Sequence, residues 1–69
     1  MKTVKIKDEY IKLGQLLKLS GLVLSGSEAK AVIEEESVFL NGQVETRRGK
    51  KIYPGDEITC NGETIKVES

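Results

Sequence analysis

Ser25-Gly26-Ser27-Glu28-Ala29-Lys30-Ala31-Val32-Ile33-Glu34-Glu35-Glu36-Ser37-Val38-Phe39-Leu40-Asn41-Gly42 changes its hydrophobic period once, and that change decides the fold class. The first half repeats at helical spacing, with Ala29, Val32 and Ile33 on one side and Lys30 and Glu34 on the other. Ser25 and Glu28 precede that run at the spacing of a capping box. The Ser25 side chain is then expected to accept the amide of the third helical residue while Glu28 reaches back to the Ser25 amide. A helix from near Gly26 to Glu35 or Glu36 follows. From Ser37 the period becomes two: Val38 and Leu40 point one way. Asn41-Gly42 suits the left-handed backbone of a type I′ turn and returns the chain through Val44 as a hairpin.

On the N-terminal side, Leu13, Leu16 and Leu17 make a second helical stripe that ends near Ser20-Gly21. At about two turns this helix is too short to persist alone in water, so it must pack. Gly21-Leu22-Val23-Leu24 is an apolar connector. Earlier still, Thr3 to Lys7 alternates, with Val4 and Ile6 opposed to lysines, and reads as a short edge strand. On the C-terminal side, Pro54-Gly55-Asp56 and Asn61-Gly62 are turns, and Ile58, Cys60, Ile65 and Val67 are the inward residues of the strands around them. The order is one strand, two short helices, then a run of strands. It predicts a single α+β domain over residues 1–69, with two short helices packed on one side of a small, mainly antiparallel sheet.

Eleven basic side chains balance eleven acidic ones, so net charge alone does not suggest a polyanionic partner. The distribution does. Lys2, Lys5, Lys7, Lys12 and Lys18 crowd the N-terminal segment, and Arg47, Arg48, Lys50 and Lys51 follow the hairpin. The acids gather in Glu34-Glu35-Glu36 and toward Asp56, Glu57, Glu63 and Glu68. Together with the helical phase of Lys30, this segregation predicts one continuous positive surface formed by the helices and residues 47–51. Glu34, Glu35 and most of the C-terminal acids are expected to face away.

The same inventory argues against catalysis. There is no histidine, the commonest general base and metal ligand, and the single cysteine, Cys60, falls at an inward strand position that suits a small buried hydrophobe. Asp8 and Glu9 are adjacent and cannot oppose one another as acid and base, and Glu34 to Glu36 fan around a helix end. No glycine pattern makes a phosphate-binding loop of the nucleotide-binding kind. Neither enzyme activity nor a cofactor or metal is expected. Met1 to Lys5 lacks the apolar stretch of a signal peptide, and no apolar run approaches the roughly 20 residues of a membrane span. A cytoplasmic, non-membrane protein is expected.

Glu45-Thr46-Arg47-Arg48-Gly49-Lys50-Lys51 is the strongest binding candidate. It has four cations within five positions around a flexible glycine, with arginine forks for bidentate phosphate contacts and lysine ammonium groups as mobile point charges. The N-terminus of the second helix adds free amides, the Ser25 and Ser27 hydroxyls, and Lys30 one turn on. Ser25 can serve as a cap and as a contact at once.

Leu13-x-x-Leu16-Leu17, Gly21, Ser25, Ala29, Ile33, Val38 and Asn41-Gly42, continued by Pro54-Gly55-Asp56-Glu57-Ile58, resemble the S-four RNA-binding domain, or αL motif. The likeness is strongest to the free-standing bacterial members of about this size, the YaaA and YbcJ type, in which a similar Glu-Thr-Arg-basic segment follows the hairpin turn. The resemblance implies a monomer that binds structured RNA, ribosomal or transfer-RNA-like, or ribosomal particles, through the helix pair and the adjoining loop, in ribosome assembly or RNA quality control. By position it adds Lys12 and Gln15 on the first helix to Ser25, Ser27, Lys30, Arg47, Arg48, Lys50 and Lys51. Two positions depart from the pattern: Gly26 stands where many members have arginine, and Glu36 stands where many have glycine. Recognition through phosphates and helix shape is expected, since the bases of duplex RNA are hard to reach and only three aromatics are present. The alternative from another class is a ubiquitin-like adaptor module. The C-terminal Val67-Glu68-Ser69 has no Gly-Gly to act as a sulfur carrier.

Overall fold

In the computed structural model, which describes all 69 residues, Ser25 caps the second helix as its spacing predicts. Its Oγ accepts the Glu28 amide at 3.1 Å. The returning half of the capping box differs by one residue: Glu28 Oε1 accepts the amide of Leu24, at 2.7 Å, and not that of Ser25. Ser25 is extended (φ −150°, ψ 165°), the usual backbone of an N-cap residue.

The elements are β1 (Lys2–Lys5), β2 (Ile11–Lys12), α1 (Leu13–Leu19), α2 (Gly26–Glu34), β3 (Val38–Leu40), β4 (Gln43–Val44), β5 (Lys51–Ile52), β6 (Glu57–Cys60) and β7 (Glu63–Glu68). Five strands form one sheet in the order β1-β7-β6-β3-β4. Only the edge pair β1 and β7 is parallel, with Val4 beside Val67. The pairs β3–β4, β3–β6 and β6–β7 are antiparallel. The α+β reading therefore holds, with both helices against one face. Alternation buries Val38, Ile58, Cys60, Ile65 and Val67 on that face, against Leu13, Leu16, Leu17, Ala29 and Ile33 of the helices. Full burial of a leucine is worth roughly 1.5–3 kcal/mol relative to exposure. Three such residues hold α1, which has only seven residues and would not persist alone. On the outer face, Val44 pairs with Phe39 and is exposed.

Both helices are followed by a residue in the left-handed region, a glycine after one and a glutamate after the other. After α1 the left-handed position is Gly21 (φ 81°), and after α2 it is Glu36 (φ 61°). The Glu36 amide donates to Ile33 O at 3.1 Å and the Ser37 amide to Val32 O at 3.0 Å, the paired bonds of a Schellman ending. Glu36 thus adopts the glycine conformation without being glycine.

One piece of architecture was not legible from periodicity. β2 and β5 form a separate two-stranded ladder, Ile11 beside Ile52 and Lys12 beside Lys51, and Ile52 is fully buried. Two residues per strand are too few to display alternation.

Candidate nucleic-acid interface

The first turn of α1 has no side-chain cap; its N-cap residue is Lys12. Its free amides are met by the basic segment instead: the Leu13 amide donates to Lys50 O at 2.9 Å and the Gly14 amide to Arg48 O at 3.0 Å. A turn closed by the Lys50 amide on Arg47 O, at 3.1 Å, lies between those two anchors. The segment expected to flex around Gly49 is therefore fixed to α1 by backbone hydrogen bonds on one side and continued into the β2–β5 ladder on the other. A buried helix start must find acceptors for its amides, and here the chain 35 or so residues downstream supplies them.

This attachment lays the Arg48 side chain along α1. A Cβ added at Gly14 would stand 2.7 Å from Arg48 Cγ, so the absence of a side chain at position 14 is what allows the approach. Lys12, expected on the first helix, ends β2 as the residue before α1, and Gln15 and Lys18 follow it at three-residue spacing on α1. With Arg48, Gly49, Gly26 and Ala29 they line a groove of about 350 Å³ between α1, the start of α2 and the basic segment. Its lining carries three cations and no carboxylate. From sequence, Lys18 is counted in the basic N-terminal segment but not among the contact residues, although its three-residue spacing from Lys12 and Gln15 is a readable signal.

The other expected site residues are dispersed around this groove. Arg47 turns from it: its Nε donates to Glu45 Oε2 at 3.0 Å and its own amide donates to the same oxygen at 2.9 Å. Glu45 is buried, and the Arg47 guanidinium hydrogen-bonded to it holds its carboxyl below the ordinary carboxylate range against the opposing effect of burial. Glu45 thus has a definite task that charge counting alone did not reveal. Arg47, Lys50 and Lys51 line a separate shallow depression with Gly49 and Tyr53. The Lys51 ammonium stands 4.9 Å above the Tyr10 ring. Ser25 and Ser27 are exposed at the start of α2. Because Ser25 Oγ accepts from Glu28, its own O–H remains able to donate.

Lys30 lines a third depression together with Arg48, Thr46 and Glu34. The expectation that Glu34 faces away is therefore corrected: four residues apart on one helix, Lys30 and Glu34 share a face, so the positive surface is interrupted there by a carboxylate. No cluster of three metal-ligating side chains is present. Cys60 is buried in the sheet, and burial, followed by the charge of Glu28, raises its thiol pKa. No helix is long and apolar enough to cross a membrane.

The helix pair, the capped start of α2, the hairpin that follows and the basic segment joined to α1 together define the αL arrangement on a small sheet. The family model for the S4 domain matches residues 4–68, and the chain belongs to that family. It is 41% identical over 59 residues to the probable ribosome maturation protein RlbA of Bacillus subtilis (strain 168), covering 86% of this chain and 83% of that one. It is 39% identical over 61 residues to YbcJ of Escherichia coli (strain K12), covering 88% and 87%. The solution structure of Escherichia coli YbcJ, described as revealing an αL motif involved in RNA-binding, superposes with a TM-score of 0.77 at 37% identity, over 100% of this chain and 89% of that one. The ubiquitin-like arrangement, one helix across a sheet, is not what this chain forms.

Proposed function

We propose that this domain binds structured RNA, ribosomal in origin, through its phosphate backbone, and acts in ribosome maturation without catalysing a reaction. The observation that carries this reading is the groove itself. Lys12, Lys18 and Arg48 converge on it with no carboxylate among its lining residues. Backbone hydrogen bonds from Leu13 and Gly14 hold its third wall in place before any ligand arrives. A backbone wall fixed in advance need not be ordered on binding, and phosphate contacts fix position on a helix without reading bases. Lys30, Ser25, Ser27 and Lys50 extend the contact along α2 and past the turn. Arg47 pairs with the Glu45 carboxylate, so that no unpaired negative charge stands at the start of the basic segment. The RNA-binding and ribosome-maturation descriptions of the relatives support the same assignment.

The test is equilibrium binding of a ribosomal stem-loop to the wild type and to a Lys12→Gln, Lys18→Gln, Arg48→Gln variant, with thermal melts to establish folding. The variant is expected to lose at least tenfold in affinity and to melt normally. Undiminished binding would place the RNA elsewhere on the molecule.

A further inference from the structure

A second depression, of about 620 Å³, opens on the other side of α1, in the size range of small-ligand sites. Tyr10, Ile11 and Leu19 give it an apolar, aromatic floor. Lys5, Lys7 and Lys18 stand around it against one carboxylate, Asp8. Gln15 and Lys18 belong to both this depression and the groove described above, so the two are continuous across the outer face of α1. The Tyr10 ring is flanked by β5 and the residue after it: Lys51 Nζ lies 4.9 Å from its centroid, and the Tyr53 ring packs against it at 5.8 Å with a 50° tilt.

Two features of this depression call for different halves of one ligand. Paired phosphates have no use for an apolar floor, and an uncharged apolar ligand has no use for three surrounding ammonium groups. An unpaired nucleotide has both a flat π-face and flanking phosphates. Resting on the reading that the groove holds RNA, we propose that this depression receives a single bulged or loop nucleotide of the same RNA. Its base lies against Tyr10, Ile11 and Leu19, and its flanking phosphates lie between Lys5, Lys7 and Lys18. Gln15, at the seam, has an amide that can both donate and accept at a base edge. The domain thereby prefers a helix carrying an extruded nucleotide to an uninterrupted one.

The experiment uses the full chain and two RNAs that share one stem: one fully paired, the other with a single 2-aminopurine bulge. The bulged RNA is expected to bind about tenfold more tightly, within the range of one base–aromatic stack. Its 2-aminopurine emission is expected to change on binding. Tyr10→Phe should keep both effects and Tyr10→Leu should lose both. Leu19 is 60% exposed and lies outside the groove, so Leu19→Ser should lose the preference while the paired RNA binds as before. Equal affinity for the two RNAs with unchanged emission would overturn the nucleotide site and leave the groove reading standing. Failure of both RNAs to bind would overturn the groove reading and this inference with it.

Discussion

Arg48 lies across Gly14: its carbonyl accepts the Gly14 amide at 3.0 Å, and its Cγ occupies the space in which a Cβ at position 14 would have to stand. Gly14→Ala is therefore expected to displace the Arg48 side chain from the groove. The gain in helix propensity, up to about 1 kcal/mol, offsets the crowding, so the melting temperature should move by only a few degrees. RNA affinity should fall about as far as it does in Arg48→Ala. Titration of one stem-loop with both variants checks this; a Gly14→Ala protein that binds like wild type would show that Arg48 does not act from this position.

Ser25 supplies a hydroxyl to an amide that has no intrahelical partner. Ser25→Ala should lower unfolding free energy by about 1 kcal/mol in urea denaturation, the usual cost of a lost N-cap. An unchanged midpoint would mean that the Glu28 carboxylate on the Leu24 amide suffices to hold the helix start.

Glu36 stands in the left-handed region at φ 61°, where a side chain is strained and glycine is not. Glu36→Gly should stabilise the domain by about 1 kcal/mol, the reverse of the common effect of introducing glycine. The same denaturation measurement checks it. A destabilised variant would imply that the Glu36 side chain contributes more than its backbone costs.

Glu45 gives the fold an acid-sensitive point. Its carboxyl is held below the ordinary range by Arg47, so its contribution to stability is complete above the unfolded value, near 4.3, and is lost as pH falls through the lower folded value. Thermal melts from pH 7 down to pH 2.5 should therefore fall more steeply below about pH 4 for wild type than for Glu45→Gln. Parallel curves would show that the ion pair adds nothing to stability.

Much of this was legible in the sequence because the signals were local. Ser25 and Glu28 announce a helix start, Leu13, Leu16 and Leu17 a buried stripe, and Asn41-Gly42 and Asn61-Gly62 turns whose positive φ angles the structure contains. The relations that build the groove are of another kind. Gly14 with Arg48, Leu13 with Lys50 and Ile11 with Ile52 join residues more than thirty positions apart, through backbone atoms or two-residue ladders that leave no periodic trace. Arg47 and Arg48 look interchangeable in a basic run. Only the fold separates them, directing one guanidinium to Glu45 and the other side chain along α1.

That separation makes the salt dependence of binding the most direct measurement of the central claim. With four or five phosphate contacts, the logarithm of affinity should fall against the logarithm of salt with a slope of roughly −3 to −5. Arg48→Ala should reduce the magnitude of that slope by about 1, equally for two stem-loops of unrelated sequence, while Arg47→Ala should change it less. An Arg48→Ala protein with wild-type affinity and slope on both RNAs would contradict the account.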